Sequence, residues 1–549
     1  FAKFMESAEP SNFSPTYYWD YFQYVLRYVD KHYKNLLNPS ESEFISSFQS
    51  LSFGGQCLYL RLSGRSVTWF NRSQLNYAEI DSMDLVIEEL ISKGFVGEYD
   101  ATVFTPAVLQ VLTKHACVNL IKEISTSKES FKALSKQALV DLLVDKPLSQ
   151  SFQTSDWIKP LQLDLYHFCS FLFFGSKNRD LKEFVVRDLG HRQYVEVDEA
   201  DFQPYFTTRK EIDDKWQLSL WREWFYEQQD QLDPGHLKAS LFESIVPMAH
   251  DLSELAIPAY ERLLFQVGRF LERQNYLSDA LDVYELAGSA QALERRVRIL
   301  AKLKRLDEAI QWAEFGQLHV ENPTELHFFQ DFIARQASKK QVKQVTGRLK
   351  KAAKIEIDES YQGRVEQGLM DYYAEQGYYA VFSENGVWKN ILGLLTWELI
   401  FTDRSAGFHH PFQYAPTIDF TQVNPERFSE LMDLLHDRPQ VLAHMRSVAE
   451  QHQGVINPLV DWVYFNWELI ERVLECVEVN ALQQVLTLMW SRLSTHAKGF
   501  PDLFIQRGDE YAFVEVKSPN DHLSAIQHFW HDSFAELGIP VSLIRVVWK

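Results

Sequence analysis

Apolar and polar positions follow a helical spacing through most of the first 150 residues. Residues 16–52 open with the aromatic-rich run YYWDYFQYVLRYVDKHY, whose apolar positions predict helix. Residues 54–77 carry strand and turn signals instead, with basic and aromatic residues interleaved. Two short helical stretches follow between residues 105 and 144, with lysines between their apolar positions. The pattern predicts a mainly helical region that contains one extended, arginine-bearing segment.

The middle of the chain, over residues 204–376, is almost entirely helical in period and carries a faint internal repeat. YLSDALDVYELAG and RLDEAIQWAEFG each place a small and a large aliphatic residue after an acidic position, as Ala280–Leu281 and Ala309–Ile310. Another helical run precedes each copy, as the first helix of a hairpin would. In a tetratricopeptide-like solenoid each helical pair covers its apolar face with its neighbour. We therefore predict a helical-repeat scaffold.

The pattern changes after residue 378 to helices mixed with short strands. A helix is predicted over residues 387–402, and further helices extend to about residue 493. Strand, turn and strand follow as DLFIQ, RGDE and YAFVEVK, then a helix over residues 522–537 and a last strand, PVSLIRVVW. This order predicts a small mixed α/β sheet at the C-terminus.

Length and composition limit the class of protein. A chain of 549 residues is too long for one core, and 46% hydrophobic residues can fold most of it. Apolar runs such as ILGLLTWELIF are too short to cross a bilayer. The N-terminus has no basic start followed by an apolar block, so we expect no signal peptide, and the first residue, Phe1, is compatible with a trimmed start.

Cysteine usage and charge add two constraints. The four cysteines lie far apart without a CxxC pair, which argues against a zinc module or a disulfide framework and favours a reducing cytoplasm. A formal net charge of -20 counts against nucleic acid as a partner. However, binding needs only a local basic stripe, and a site for divalent cations is itself acidic. The total charge does not decide between partners.

Three basic groups are candidates for holding a nucleic-acid backbone. The plainer interpretation of the first group, the arginines of residues 54–77, is a half-buried strand with a solvated face. For the second group, the lysines after residue 105, it is a helical hairpin with lysines in water, and for the third, in the helical middle of the chain, it is a solvated helix face. The second group lies in a segment that resembles a SAP-type DNA-binding module. The candidates are Arg61, Arg65 and Arg72, then Lys122, Lys128, Lys132 and Lys136, then Arg295, Arg296 and Arg298.

Acidic residues and a lysine meet on the predicted C-terminal hairpin. Alternation puts Glu515 and Lys517 on one face of the second strand, and Asp502 opens the first strand beside Glu515. Neighbouring carboxylates raise each other's pKa, and a bound Mg²⁺ with the main-chain carbonyl of Val516 removes that conflict. Lys517 can then orient a water or offset charge on phosphorus. These parts predict a phosphodiester hydrolase; the alternative is a solvated pair of side chains on a hairpin.

A helix follows the hairpin in SPNDHLSAIQHFW. It places Gln527 and Trp530 directly behind the acidic strand. Gln527 is a candidate to reach a metal-bound water or a phosphate, and an ordinary helix-surface glutamine is the alternative.

These segments resemble a known family. GFPDLF, VEVKSPNDHLS and the later Gln and Trp resemble the VRR-NUC module of the PD-(D/E)xK superfamily. FSENGVWKNILGLLTWELIF, followed by HHPFQYAP, resembles the upstream half of that module in bacterial-type Fanconi-associated nucleases. The resemblance covers nearly the whole chain and is strongest from Tyr378 onward. It implies a multidomain, mainly α chain with a C-terminal α/β restriction-endonuclease-like nuclease domain and a tetratricopeptide-like middle domain.

By this resemblance, Asp502 and Glu515 correspond to the metal-binding acids, Glu384 to a third, helix-borne carboxylate and Lys517 to the catalytic lysine. One departure is visible, since Asn385 follows Glu384 where the family more usually has Gly. We expect this difference to shift the helix start slightly. A capping carboxylate is the alternative interpretation of Glu384.

The family implies a structure-selective DNA nuclease that uses Mg²⁺ or Mn²⁺, cuts 5′ flaps, acts as a 5′-to-3′ exonuclease and unhooks interstrand crosslinks. Its partner would be branched or 5′-flapped DNA, held by a cytoplasmic, nucleoid-associated monomer with no indicated protein partner and no membrane. The alternatives are an inactive helical-repeat adaptor that binds branched DNA, and a junction resolvase or restriction-type endonuclease.

We predict four domains in this order. They are an N-terminal DNA-binding domain (1–104), a SAP-like module (105–150), a helical tetratricopeptide-like domain (151–377) and the VRR-NUC domain (378–549).

Overall fold

The structure, a computed structural model, divides the chain into two compact units. One unit comprises Phe1–His191 and Pro204–Trp216, and the other comprises Arg192–Gln203 and Gln217–Lys549. Within the described ranges, no helix is both long and apolar enough to cross a membrane. The described residues are 14–125, 131–190, 193–196, 198, 200, 202–231, 233–338, 344–401, 407–415, 421 and 424–549.

The first unit packs short helices around an aromatic core and one small antiparallel sheet. Phe22 meets Phe48 edge to face at 5.2 Å, and Tyr59 meets Phe95 at 4.9 Å, a favoured geometry for buried rings. The three strands pair in the order β1–β3–β2. The elements are α1 (Tyr17–Tyr33), α2 (Pro39–Gln49), α3 (Phe53–Ser63), β1 (Phe70–Asn71), α4 (Met83–Ser92), β2 (Val96–Glu98), α5 (Pro106–Val111), α6 (Lys114–Ile124), α7 (Lys136–Leu143), β3 (Trp157–Pro160), α8 (Leu163–Phe174) and α9 (Lys182–Asp188).

The extended segment predicted over residues 54–77 is wrong in its first half. Helix α3 occupies that stretch, and it begins at a cap in which the Ser52 hydroxyl accepts a hydrogen bond from Gly55 N. Cys57, Leu58, Tyr59 and other neighbouring positions of α3 are buried together. A helix buried on nearly every side has no polar face, so its hydrophobic pattern cannot be distinguished from that of a buried strand.

The second unit begins with helices that form consecutive hairpins. The α12–α13 and α14–α15 pairs turn through Asn275 and Lys304, which occupy the same place in the two copies and both have positive φ, 65° and 64°. Ala280 and Ala309 are buried at matching positions. The helical repeat is thereby seen in the backbone, while its tetratricopeptide type stays a prediction. Helix α10 (Arg209–Gln228) begins within the residues of the first unit and continues into the second. The other helices are α11 (Pro234–Ser244), α12 (Ile257–Arg273), α13 (Leu277–Leu286), α14 (Ala290–Lys302), α15 (Leu306–His319), α16 (Pro323–Ser338) and α17 (Gln344–Lys351).

A five-stranded mixed sheet with flanking helices ends the chain, in the order β4–β8–β7–β6–β5. The pairs β4–β8 and β7–β8 are parallel, and β5–β6 and β6–β7 are antiparallel. The elements are β4 (Ala353–Ile357), α18 (Val365–Glu375), β5 (Tyr379–Phe382), α19 (Val387–Leu395), α20 (Trp397–Phe401), α21 (Pro425–Asp433), α22 (Arg438–His452), α23 (Trp467–Cys476), α24 (Val479–Ser491), α25 (Leu493–His496), β6 (Leu503–Arg507), β7 (Glu510–Lys517), α26 (Ala525–Glu536) and β8 (Val541–Trp548).

Both faces of this sheet are buried. Phe504 and Phe513 join one core with Trp388 of α19 and Trp530 of α26. The alternate positions of the same strands form a second core with α18, made by Leu369, Leu503, Val514, Val516 and Ile544. A central strand buried on both faces leaves its charged residues little access to water, which makes Glu515 and Lys517 of β7 unusual.

Strand β4 departs from the sequence analysis, which treats residues 204–376 as almost entirely helical. Ala353–Ile357 pairs along Ile544–Trp548 and completes the edge of the sheet. The mainly α chain with a C-terminal α/β domain is confirmed. The four domain boundaries stay predictions.

Candidate active site

Asp502 lies where three strands come together. It precedes β6 and is buried, and its Oδ2 accepts a hydrogen bond from Val516 N at 2.7 Å. Its carbonyl accepts from Ser383 N at 2.7 Å and from Glu384 N at 3.2 Å, just after β5 ends. Asp502 thus joins the end of β5 to β7 and fixes the backbone beside its own carboxylate.

Glu515 and Lys517 lie in the part of β7 that extends past β6. The last pair between these strands is Leu503 with Val514, so Asp502 faces the start of that extension. The Glu515 side chain is buried, at 2% exposure, and its Oε1 lies 2.6 Å from Lys517 Nζ. The structure therefore brings the two acids and the lysine together, as the strand alternation predicts.

Glu384 is half-buried and adjoins this group through the backbone contacts to Asp502. Asn385 follows with φ of 53°, a conformation that Gly and Asn adopt most readily. The Asn385 amide donates to Glu384 Oε1 at 3.0 Å, and its Oδ1 accepts from Gly499 N at 2.7 Å and Phe500 N at 3.4 Å. Asn385 thus accommodates the turn that glycine would make and also fastens the segment that leads into Asp502. Helix α19 begins only at Val387.

The three carboxylates all resist ionisation. Burial raises the pKa of Asp502 to about 7, with Lys517 and the Val516 N–H opposing the rise. Burial, followed by the neighbouring Asp502, raises the pKa of Glu515 to about 8. Burial also raises the pKa of Glu384. Buried carboxyl groups whose pKa is raised favour any ligand that supplies positive charge.

Glu366 of α18 is a member of this electrostatic group that sequence reasoning missed. It contributes to the raised pKa of both Glu384 and Asp502 through like charge. It lies in a stretch assigned to helical scaffold, with no motif around it. Only the packing of α18 against the sheet shows its relation to the acids.

The donor set fits a divalent cation of the Mg²⁺ type. Across the described residues, no group of three or more His, Cys, Asp or Glu side chains is arranged as a cation site by itself. Mg²⁺ does not require such a cage, because it keeps several waters and takes one or two carboxylates together with phosphate oxygens. Asp502 and Glu515 provide that pair, with Glu384 beside them.

Gln527 has a structural contact of its own. Its side-chain carbonyl accepts from Ser524 N at 3.0 Å and the Ser524 hydroxyl accepts from Gln527 N, which together form a capping box at the start of α26. This contact explains the presence of a glutamine at position 527 by helix capping alone. Its auxiliary role stays a prediction.

Arg61, Arg65 and Arg72 are largely engaged within the first unit. Arg61 pairs with Glu79 at 2.5 Å and lies over Tyr18, and Arg65 lies over Tyr77. Arg72 pairs with acids on α4 and β2, Glu88 at 2.7 Å and Glu98 at 3.3 Å.

Lys122 lies on α6, Lys136 begins α7, and Lys132 lies between these two helices in the sequence. Lys122, Lys132 and Lys136 are exposed, and Lys136 Nζ donates to Gln110 O. Lys128 lies outside the described residues. Their role in DNA binding stays a prediction.

The arginines of α14 all have acidic partners. Arg295 pairs with Glu272, Arg296 with Glu285 and Arg298 with Glu294. Arg296 also stacks on Trp312 at 3.6 Å, and Arg298 on Phe328 at 4.3 Å. Arg295 and Arg298 still line an open cleft together with Lys302 and Arg335. A phosphate would have to compete with these carboxylates there.

Two family profiles match the chain. One is described as "FAN1, HTH domain" and matches residues 16–97, and the other as "VRR-NUC domain" and matches residues 438–548. A mixed sheet with buried acids and a lysine on its central hairpin, within a VRR-NUC match, defines a phosphodiester-hydrolysing nuclease.

Similarity to known proteins extends over the whole chain. A Fanconi-associated nuclease 1 homolog of Pseudomonas aeruginosa is 27% identical over 97% of this chain and 96% of its own length. A homolog of Oryza sativa is 23% identical over 97% of this chain and 63% of its own length. These matches confirm the resemblance to the Fanconi-associated nuclease family drawn from its motifs.

Two solved structures are similar to this fold. They are crystal structures of paFAN1 bound to 5′ flap DNA with a gap, one with a 2-nucleotide and one with a 1-nucleotide flap. Both are 25% identical and cover 98% of this chain and 100% of the solved chain, with TM-scores of 0.86 and 0.84.

Proposed function

We propose that this chain is a structure-selective, divalent-metal-dependent DNA nuclease that cuts 5′ flaps and digests DNA from 5′ to 3′. The observation that carries the proposal is the buried pair of acids, Asp502 and Glu515, at the end of a hairpin, with the Glu515 carboxylate in contact with Lys517. A fold has no structural need for two carboxylates beside a single lysine in one buried place. Binding of a cation and of a substrate phosphate would explain why both carboxylates are there.

The ligands of the cation, Mg²⁺ or Mn²⁺, would be Asp502, Glu515, Glu384 and the main-chain carbonyl of Val516. When bound, it would lower the pKa of a water and polarise a phosphoryl oxygen. Lys517 would orient the attacking water and offset charge that develops on phosphorus. The hydrogen bond from Val516 N to Asp502 and the turn at Asn385 would hold the acids in register.

The substrate would be branched or 5′-flapped DNA, recognised by shape through contacts to its backbone. The similar solved structures have 5′ flap DNA bound, which supports this choice. We further propose a role in repair, including interstrand crosslink repair, at the bacterial nucleoid in the cytoplasm. The chain would act as a monomer, because its long helical domains can hold a branched duplex without a second subunit.

The four predicted domains divide the work. Residues 1–104 and the SAP-like residues 105–150 would hold duplex DNA, residues 151–377 would act as scaffold, and residues 378–549 would cut. The basic candidates on the first two domains, and those on α14, would contact phosphates.

A cleavage assay tests the proposed function. Purified protein with Mg²⁺ or Mn²⁺ should cut a labelled 5′ flap faster than nicked, splayed or blunt duplexes, and EDTA should stop it. Asp502→Ala and Lys517→Ala should each lower the rate by about a hundred- to a thousandfold, as loss of a group central to charge stabilisation does. Asp509→Ala and Lys354→Ala, at exposed positions of the same sheet, are the matched controls.

Two outcomes would overturn the proposal. Cutting that survives both active-site changes would remove these residues from catalysis. Flap binding that is independent of metal, unchanged by Glu515→Gln and never followed by cleavage would identify an inactive adaptor.

A further inference from the structure

The loop of residues 461–466, DWVYFN, presents two large side chains to solvent. Val463 is 83% exposed and Tyr464 is 71% exposed, although the loop is rich in aromatic residues that prefer burial. Single exposed apolar residues are common on proteins and need no explanation by themselves. What distinguishes this loop is how it is held and what lies beside it.

The loop is fastened from inside the fold. The buried Asn390 of α19 accepts a hydrogen bond at Oδ1 from Asp461 N at 2.8 Å, and Asp461 Oδ1 accepts from Val463 N at 3.0 Å. Trp462 Nε1 donates to Val455 O at 2.7 Å. The Asn466 side chain caps α23 by accepting from Leu469 N. These contacts fix the loop on both sides of Tyr464, so that its side chain is held in solvent by a well-anchored backbone.

Tyr464 borders the same cleft as Glu384. That cleft is also lined by Lys389 and by Phe382, which lies at the end of edge strand β5 and is 41% exposed. Two exposed aromatic rings and an ammonium group therefore surround an opening that reaches one of the proposed metal-binding acids. Aromatic rings stack on nucleobases and lysines contact phosphates, a combination typical of surfaces that hold single-stranded nucleic acid.

We propose that this cleft is a nucleotide subsite, in which Tyr464 stacks on the base of an unpaired nucleotide next to the scissile phosphate. Phe382 also lines the cleft, and Lys389 contacts a backbone phosphate. This inference rests on the proposed function, because the subsite is defined by its position beside the proposed site of cutting. It would favour cutting where one base is free to leave the duplex, which is the case at a flap junction.

DNA is favoured over a protein partner by two features of the cleft. Its exposed apolar groups are two rings beside charged and amide side chains, because Val387, Leu469 and Ile470, which also line it, are buried. Docking sites for proteins present wider apolar patches. The cleft is also continuous with the acidic site through Glu384. An occupant of the cleft would thus also contact the site of cutting.

The experiment combines changes in the protein with changes in the DNA. The cut position is first mapped on a 5′ flap, and a tetrahydrofuran abasic nucleotide is then placed at each of the positions flanking it. One abasic position should lower the kcat/KM of the unaltered protein roughly 5- to 100-fold, the value of one base–aromatic stack. Tyr464→Ala should cause the same loss on intact DNA and no further loss on that abasic flap.

Other variants separate stacking from structure. Tyr464→Phe keeps the ring and should retain most activity, and Lys389→Ala should reduce the salt dependence of flap binding by about one phosphate contact. Tyr226→Ala is the matched control, because Tyr226 is 45% exposed and does not line this cleft. It should leave cleavage unchanged. Binding is measured in parallel by fluorescence anisotropy with Ca²⁺ in place of Mg²⁺.

The results distinguish this inference from the proposed function. Independent, multiplying losses from Tyr464→Ala and the abasic site, or no loss from either, would overturn the subsite while leaving the nuclease intact. If the unaltered protein cuts no flap, the proposed function fails. The anisotropy measurement then decides whether the cleft still binds the unpaired base through Tyr464.

Discussion

The burial of Asp502 and Glu515 lowers the stability of the folded chain, and their proposed role in catalysis explains why they are buried there. Each carboxyl group is buried, and the two lie close enough for one to raise the pKa of the other. Ionisation of either group in that place opposes folding, because Lys517 only partly offsets the effect of burial. The loss of stability that these acids cause can therefore be measured with single substitutions.

Asp502→Asn should stabilise the metal-free protein at high pH. The pKa of Asp502 is raised to about 7 in the folded state. Its contribution to stability is therefore present at low pH and is lost as pH rises through 7. Asn retains an oxygen that can accept from Val516 N. The loss begins near the unfolded pKa of about 4 and is complete above pH 7. We therefore expect a gain of roughly 1–4 kcal/mol in the free energy of unfolding at pH 8.5 and a smaller gain at pH 5.

Urea unfolding in EDTA at the two pH values measures this gain. Asp509→Asn, at an exposed turn position, serves as the control. A loss of stability at pH 8.5 would contradict the assignment of strain to the Asp502 carboxylate.

Metal binding should tighten as pH rises. Protons compete with the cation for Asp502 and Glu515, whose pKa values are about 7 and about 8. We expect apparent Mn²⁺ affinity to increase about tenfold or more per pH unit between pH 6 and 7.5, and to level off above pH 8. Calorimetric titration at several pH values, in buffers of different ionisation enthalpy, also counts the protons released. Affinity that does not change with pH would exclude both acids as ligands.

Asn385 should prove to be a positioning residue. Asn385→Gly keeps the backbone conformation and loses the hydrogen bonds from Gly499 N and Phe500 N, whereas Asn385→Ala also introduces backbone strain. We expect losses of about 1 kcal/mol for Gly and about 2 kcal/mol for Ala. Both should weaken Mn²⁺ affinity, because Glu384 and the segment before Asp502 depend on this side chain. Equal stability of the two variants would argue against strain at this turn.

At the scale of elements, β7 determines most of the site and α18 adjusts it. Strand alternation alone puts Glu515 and Lys517 on one face, and the start of β6 brings Asp502 opposite them. Helix α18 packs on the second face of the same sheet, where Val365 and Leu369 are buried. From there it adds the charge of Glu366 to the site.

Glu366→Gln should lower the pKa of Asp502 and Glu384, since it removes a like charge that raises both. The pH at which cleavage reaches half its maximum should move down by a few tenths of a unit. Glu375→Gln, at an exposed position on the same helix, is the matched control. The measurement is a pH–rate profile for the unaltered protein and the two variants. A midpoint that is unchanged or moves up in Glu366→Gln would refute the prediction.

At the scale of the whole molecule, the C-terminal sheet uses residues that precede the VRR-NUC boundary predicted at residue 378. Strand β4 covers β8, and α18 covers one face of β6, β7 and β8. A fragment of residues 378–549 would expose both the edge of β8 and an apolar face containing Val514 and Val516.

We expect a fragment of residues 352–549 to be more soluble than one of residues 378–549, and to unfold more cooperatively. Both fragments lack the same helical scaffold, so the comparison isolates β4 and α18. Circular dichroism melts and size-exclusion chromatography measure the difference. Two equally stable monomers would show that the domain needs neither element and would support the boundary at residue 378.

The sequence by itself determined the features that depend on neighbours along the chain. Period-two alternation placed Glu515 and Lys517 together, a short turn brought Asp502 near them, and helical spacing identified the hairpins around Ala280 and Ala309. It was wrong over α3, because a helix buried all round has no polar face to reveal its period. Motifs in sequence order also revealed the resemblance to the Fanconi-associated nucleases.

Only the tertiary structure decided what depends on residues far apart in the chain. It brought β4 to the edge of β8 and Glu366 toward Asp502, and it fastened Asn385 to Gly499. It gave Arg61 and Arg296 acidic partners that a linear count of basic residues cannot show. Burial has the same origin: packing on both faces of the sheet removes water from the carboxylates, and this loss of water raises their pKa.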